Sequence, residues 1–173
     1  MEYTINIKGH LMDLSTPQVM GILNVTPDSF YSGSRKQTEK EIADRANQII
    51  EEGGSIIDVG AFSTRPGADE VSEEEEGRRL KCALDIVRRE QSNVAISVDT
   101  YRPTLARKCI EEWGADIIND VSEGGITGIA NVPLEQREEE YPEMFRLVGE
   151  LKVPYILMSV QPTLATMMKG FAK

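Results

Sequence analysis

The chain has 173 residues, 40% of them apolar, which is enough for one domain with a real core and too short for two ordinary ones. Its 29 acidic against 19 basic side chains give a formal charge of −10, which repels nucleic-acid phosphates and anionic membrane surfaces, so the expected partner is a small molecule. No basic flank leads into an apolar stretch at the amino terminus, and no run approaches the roughly 18 apolar residues that cross a bilayer, so a soluble cytoplasmic protein is expected.

Tyr3, Ile5 and Ile7 alternate with polar residues, Gly9-His10 interrupts them, and Met12 and Leu14 resume the alternation around Asp13. That is the pattern of a short hairpin over residues 1–15, a lid or plug rather than a site. His10 is the sole histidine and falls at the predicted turn, which leaves little scope for serine–histidine or cysteine–histidine catalysis. From there on, short runs rich in isoleucine and valine alternate with helix-length amphipathic stretches. The runs are Val19 to Val25, Ile56 to Val59, Val94 to Val98, Ile117 to Val121, and Tyr155 to Met158.

The first helix is predicted from a capping box at Thr38 and Glu41, with Ile42, Ala46, Ile49 and Ile50 on one face and Gly53-Gly54 as its stop. Ser72 and Glu75 form the box of a second helix, whose stripe is Leu80, Ala83, Leu84 and Val87. The acidic cluster Glu73 to Glu76 reads as a solvated first turn favoured by the helix dipole. Leu105, Ala106, Cys109, Ile110 and Trp113 make a third stripe closed by Gly114, and Pro142 opens a fourth carrying Phe145, Val148 and Leu151. The two cysteines, Cys82 and Cys109, lie on or beside these stripes and read as reduced core residues. Strand and helix alternate throughout one domain, so the candidates are a (β/α) barrel and an open doubly wound sheet. Residues 124–140, with glycines and then an acidic run, read as a long loop over the strand ends.

Each apolar run finishes in small or polar residues: Asn24, Asp58 with Gly60, Asp99, Asn119 with Asp120, and Ser159. In parallel α/β folds those ends converge on one face, where ligands bind. Any one of these residues could simply cap the helix that follows. Four together on apolar strands point instead to a shared polar pocket, because buried carboxylates and amides cost several kcal/mol without partners. Aspartate accepts from ring N–H and amino groups while asparagine both donates and accepts, a set suited to a flat heterocycle with an alternating edge such as a pterin. Two loops, Asn24-Val-Thr-Pro-Asp-Ser-Phe30 and Phe62-Ser-Thr-Arg-Pro-Gly67, add hydroxyls and an arginine fork able to orient a phosphate or carboxylate.

Met20-Gly-Ile-Leu-Asn-Val-Thr-Pro-Asp-Ser-Phe30, followed by Ile57-Asp-Val-Gly60 and Ser63-Thr-Arg-Pro-Gly67, closely resembles the two signatures of the dihydropteroate synthase family. Ser97-Val-Asp-Thr100 and Ile117-Ile-Asn-Asp-Val121 resemble that family's third and fourth strand-end motifs. The resemblance implies a TIM-type (β/α)8 barrel, here about five β/α units of it after the hairpin. It implies condensation of 6-hydroxymethyl-7,8-dihydropterin pyrophosphate with p-aminobenzoate, assisted by Mg²⁺, in an enzyme targeted by sulfonamides and dimeric in its full-length form. Asp58, Asp99 and Asn119 then match pterin-pocket residues, Asn24 the residue that helps hold metal and pyrophosphate, and Thr64, Arg65 and Pro66 the loop covering the aminobenzoate side. Asp58, Asp99 and Arg65 are the groups expected to serve the chemistry.

Two departures qualify the resemblance. Five strands are counted where eight are required, and the family's later Asp-Pro-Gly, Ser-Arg-Lys and Arg-x-His motifs are absent. Leu157-Met-Ser-Val-Gln-Pro162 stands where the family usually shows a Met-His-Met type sequence. The sequence is thus read as a shortened synthase, inactive by itself, with a non-catalytic pterin-binding or scaffolding homologue and a folate-dependent methyltransferase domain as alternatives.

Overall fold

The computed structural model describes residues 3–25, 35–62, 71–122 and 143–158. The chain opens with β1 (Thr4–Ile7) and β2 (His10–Asp13), paired antiparallel with Ile7 opposite His10. Their turn is Lys8-Gly9, at φ 48 and φ 89, because a two-residue hairpin of the mirror type needs positive φ at both positions. Asn6 Oδ1 accepts from the Gly9 N–H at 2.7 Å and locks that turn. His10 therefore begins β2 instead of sitting in the turn.

Five parallel strands follow: β3 (Met20–Asn24), β4 (Ile56–Gly60), β5 (Ala95–Asp99), β6 (Ile117–Asp120) and β7 (Tyr155–Leu157). They pair in that order, separated by α1 (Arg35–Glu51), α2 (Glu73–Glu90), α3 (Pro103–Glu111) and α4 (Glu143–Leu151). The order decides between the two candidate architectures. A doubly wound sheet reverses direction at a switch point, whereas an unbroken sequential order with crossovers of one hand puts every helix on the same face. The helices do pack on one another in succession, α1 on α2, α2 on α3 and α3 on α4. The fold is of the barrel type, and among the described residues its sheet is open, with β3 and β7 at the edges.

The helix-facing side of the sheet is apolar. Leu23, Ile57, Val59, Ile96, Val98 and Ile118 meet Ile42, Ala46, Ile49, Leu80, Ala83, Leu84 and Val87, and Cys109 is buried among them as a free thiol. Two helix starts differ in detail from expectation. α1 begins at Arg35, a turn ahead of Thr38, so Thr38 lies within the helix and not at its start; arginine, lysine and glutamine are good helix formers and carry the helix back. At α2, Ser72 Oγ accepts from the Glu75 N–H at 3.2 Å, but the Glu75 carboxylate holds Arg78 and Arg79, leaving half a box. In α4 the fully buried positions are Met144 and Leu147, with Val148 and Leu151 flanking them, so the stripe lies one residue off the predicted one. Phe145 instead meets Tyr155 edge-on at 6.0 Å.

A second apolar cluster joins Ile7 to Ile56, Ala95 and Ile117, with Ile5, Met12, Met20 and Ile156 around it. Met20, Ile56, Ala95 and Ile117 open their strands, so the hairpin plugs the amino-terminal end of the sheet. Asp116 fastens it there, accepting from Lys8 at 2.9 Å, from Arg88 at 2.9 Å and from the Ile96 N–H at 2.9 Å. The polar strand-end residues lie at the opposite, carboxyl-terminal end.

β3 approaches α1 so closely that a methyl on Gly21 would lie 2.3 Å from Ile49 Cγ2, a buried branched carbon that cannot swing away. Gly21→Ala should therefore lower the urea-unfolding free energy by about 1–3 kcal/mol through overpacking. Gly149→Ala in α4, where nothing lies within 4 Å, should leave it unchanged or raise it by up to about 1 kcal/mol.

Candidate functional site

Side chains alternate across a strand, so the residues between the helix-facing ones point to the opposite, inner face. The register sorts them into tiers. Ile22, Asp58, Ser97 and Ile117 lie side by side, and Asn24, Gly60, Asp99, Asn119 and Ile156 form the tier above. Asp58 is thus not at a strand end, as the sequence suggested, but one tier deeper. Asp120 belongs to the other face, where Ser122 and Tyr155 satisfy its carboxylate: Ser122 N–H at 2.7 Å and Oγ at 2.6 Å, Tyr155 Oη at 2.7 Å.

The two tiers form one polar well over the apolar plug. Asn119 Nδ2 donates to Asp58 Oδ2 at 3.1 Å. Gly60 leaves a gap into which its neighbours lean, since a methyl there would lie 2.8 Å from Asn24 Oδ1 and 3.5 Å from Asp99 Oδ2. Among the described residues, four buried oxygens have no hydrogen-bond partner: Asp58 Oδ1, Ser97 Oγ, Asp99 Oδ1 and Asn119 Oδ1. The Ser97 hydroxyl nevertheless lies near enough to Asp58 to favour its charged form, without the geometry of a good bond. Unpaired buried acceptors are rare in native proteins because each forfeits its hydration for nothing. Here all four belong to three adjacent strands and, by the alternation of side chains, to the same face of the sheet.

The sequence allowed that these groups merely cap helices. α2 is capped by Ser72, and α3 starts at Arg102 with no side-chain cap, so Asp58 and Asp99 cap neither. Burial pushes the Asp58 carboxyl above the usual carboxylate range, partly offset by Ser97 and Asn119. Asp99 is pushed up to about 7, by burial first and then by the negative charges of Asp58, Glu76 and Asp120. Among the described residues the well is thus short of positive charge and rich in acceptors, and a ligand edge carrying N–H donors would meet both needs.

Among the sequence-derived candidates, Asn24, Asp58, Asp99 and Asn119 come together. Thr64, Arg65, Pro66, the rest of the loop after Val25, residues 124–140 and Ser159 lie outside the described residues. The sequence missed Ser97 as a pocket residue, although it stands two before Asp99 and so on the same face. It also missed Glu76, read as part of a solvated turn. Glu76 is 0% exposed, accepting from Thr100 Oγ1 at 2.7 Å and Arg102 Nε at 2.8 Å. Its spacing from Leu80, Ala83 and Val87 puts it on the buried stripe, which the count of four glutamates concealed.

Fold and site define a parallel, barrel-type α/β protein with a polar well at the carboxyl ends of its strands. The chain belongs to the pterin binding enzyme family, whose model matches residues 20–171. It is 39% identical over 163 residues to the dihydropteroate synthase of Escherichia coli K12, covering 94% of this chain and 52% of that protein. The solved dihydropteroate synthase of Xanthomonas albilineans with 4-aminobenzoic acid superposes with a TM-score of 0.73 at 32% identity, over 97% of this chain and 58% of that one. That of Burkholderia cenocepacia complexed with 7,8-dihydropteroate gives a TM-score of 0.68 at 28% identity, over 96% and 49%. The chain spans about half the length of these relatives. Among the described residues no helix is long and apolar enough to cross a membrane.

The raised Asp99 pKa carries a sign. A carboxyl whose folded pKa exceeds its unfolded value adds stability fully present below about pH 4 and lost as pH rises through about 7. The ligand-free protein should lose stability across that window, and Asp99→Asn should flatten the decline and be the more stable form at pH 8. Urea unfolding at several pH values checks this, and an Asp99→Asn protein markedly weaker at pH 8 would show that the carboxylate holds the fold together instead.

Proposed function

We propose that this chain is the pterin-binding part of a dihydropteroate synthase, joining 6-hydroxymethyl-7,8-dihydropterin pyrophosphate to p-aminobenzoate. The observation that carries the reading is the set of four buried oxygens, on Asp58, Ser97, Asp99 and Asn119, that have no partner among the described residues. Asp99 and Asn119 take the donor edge of the ring, with Asp58 beneath them. Ile22, Ile117 and Ile156 share the two tiers and supply apolar contact for a flat heterocycle.

In the reaction the C–O bond to pyrophosphate breaks and the aminobenzoate nitrogen bonds to the freed methylene, losing a proton. Carboxylates fixed around the ring favour positive charge building on the pterin as pyrophosphate leaves, and they need no reorganisation to do so. Filling the well also displaces water that would compete with the amine. Thr64, Arg65 and Pro66 serve the aminobenzoate side, and Arg65 is suited to a carboxylate by its planar fork; that assignment rests on the motif alone.

Among the described residues no group of three or more histidine, cysteine or acidic side chains could hold a metal. Asn24 Oδ1, leaning over Gly60, is one hard oxygen donor, which suits Mg²⁺ arriving with the pyrophosphate more than a resident caged ion. Bound there, Mg²⁺ would neutralise charge on the leaving group. A homodimer of the full-length form belongs to the same proposal.

Calorimetric titration with a dihydropterin tests the pocket. Asp99→Asn places a donor opposite a ring N–H and should weaken binding by about 2–4 kcal/mol through an unpaired buried group. Unchanged affinity would remove Asp99 from the pocket and undo the pterin reading.

A further inference from the structure

Of the four glutamates that open α2, Glu73 and Glu74 are exposed, Glu75 binds Arg78 and Arg79, and Glu76 alone is withdrawn from water. Both of its oxygens are matched. Thr100 Oγ1 donates to Oε1 at 2.7 Å and Arg102 Nε to Oε2 at 2.8 Å. The Thr100 hydroxyl accepts in turn from the Arg102 N–H at 3.2 Å. Arg102 reaches onward to the Val71 carbonyl at 2.8 Å and lies over the Tyr101 ring, 5.1 Å from its centroid. Tyr101 meets Phe62 edge-on at 5.0 Å, and the Thr100 N–H donates to the Asn119 carbonyl at 3.2 Å. Every residue of the turn after Asp99 is thereby tied either to α2, to the exit of β4 or to the next strand of the well.

Stability gives a weak reason for such an arrangement, since a buried ion pair is often replaceable by apolar residues without loss. Its effect on geometry is plain. Among the described residues, Asp99 has one oxygen without a partner and no hydrogen bond that holds its side chain, so its direction there is set by the backbone of the turn it begins. We infer that Glu76 is a positioning residue: through Thr100 and Arg102 it fixes the turn that aims the Asp99 carboxylate, and so sets how sharply the well tells a donor edge from an acceptor edge. The inference rests on the pterin reading and adds to it a residue outside the well.

Fluorescence titration with two heterocycles separates aim from bulk stability. Pterin carries an amino group at ring position 2 and lumazine a carbonyl in its place, so a well-aimed carboxylate prefers pterin. In Thr100→Val and Glu76→Gln that preference should fall by about tenfold, roughly the worth of one hydrogen bond, while Thr100→Ser, which keeps the hydroxyl, should retain it. A role confined to folding predicts a lower melting temperature with the preference unchanged, and that result in Thr100→Val would overturn the inference even if Glu76→Gln fails to fold. Absence of any pterin preference in the unmodified chain would instead defeat the pterin reading, and the inference with it.

Discussion

Parallel pairing in continuous register sets Asn24, Gly60, Asp99, Asn119 and Ile156 in one row across five strands, one tier above Ile22, Asp58, Ser97 and Ile117. Because the strand period is two, a slip of a single residue would send the carboxylates to the helices and the isoleucines to the well. The hydrophobic surface between sheet and helices guards against that slip. The apolar face of the sheet fixes where the polar one must be, and the hairpin covers the amino-terminal end beneath it.

The resulting well is held against its own electrostatics. Asp58, Asp99 and Glu76 crowd a region where burial already disfavours charge, and the only cation engaged with them in the described contacts is Arg102, which faces Glu76. A chain selected for stability alone would not keep four buried oxygens unpaired among its described residues. A site that must recognise a donor-rich edge gains from doing so, because the acceptors are aimed before the ligand arrives. The expense in stability and the recognition of the ring are two consequences of the same arrangement.

Much of this was legible in the sequence because apolar runs and amphipathic stripes are dictated by burial. The five strands lie where the isoleucine- and valine-rich runs are, and three of the four pocket residues stand at their ends. What the sequence concealed depended on depth and phase. Asp58 looks like an end residue, since Val59 and Gly60 carry no chemistry, yet register puts it a tier down. Glu76 is hidden in a run of four glutamates, of which only one shares the phase of Leu80 and Val87. Thr38 fits a capping box by type and spacing, but good helix formers ahead of it begin the helix earlier. Pairwise ties such as Thr100 to Glu76, across α2 and the turn after β5, leave no mark in a single sequence.

The account depends on Asp99 being an unpaired, destabilised carboxylate in the free protein that gains its partners from a bound ring. Carbon-13 NMR of the aspartate carboxyls, followed from pH 3 to 9 with and without a pterin, reads that directly. Asp99 should titrate near 7 in the free protein. With pterin bound it should titrate well below that, since donors on the ring favour the charged form. An Asp99 that titrates in the ordinary carboxylate range when free, or whose titration a pterin does not move, would contradict the account.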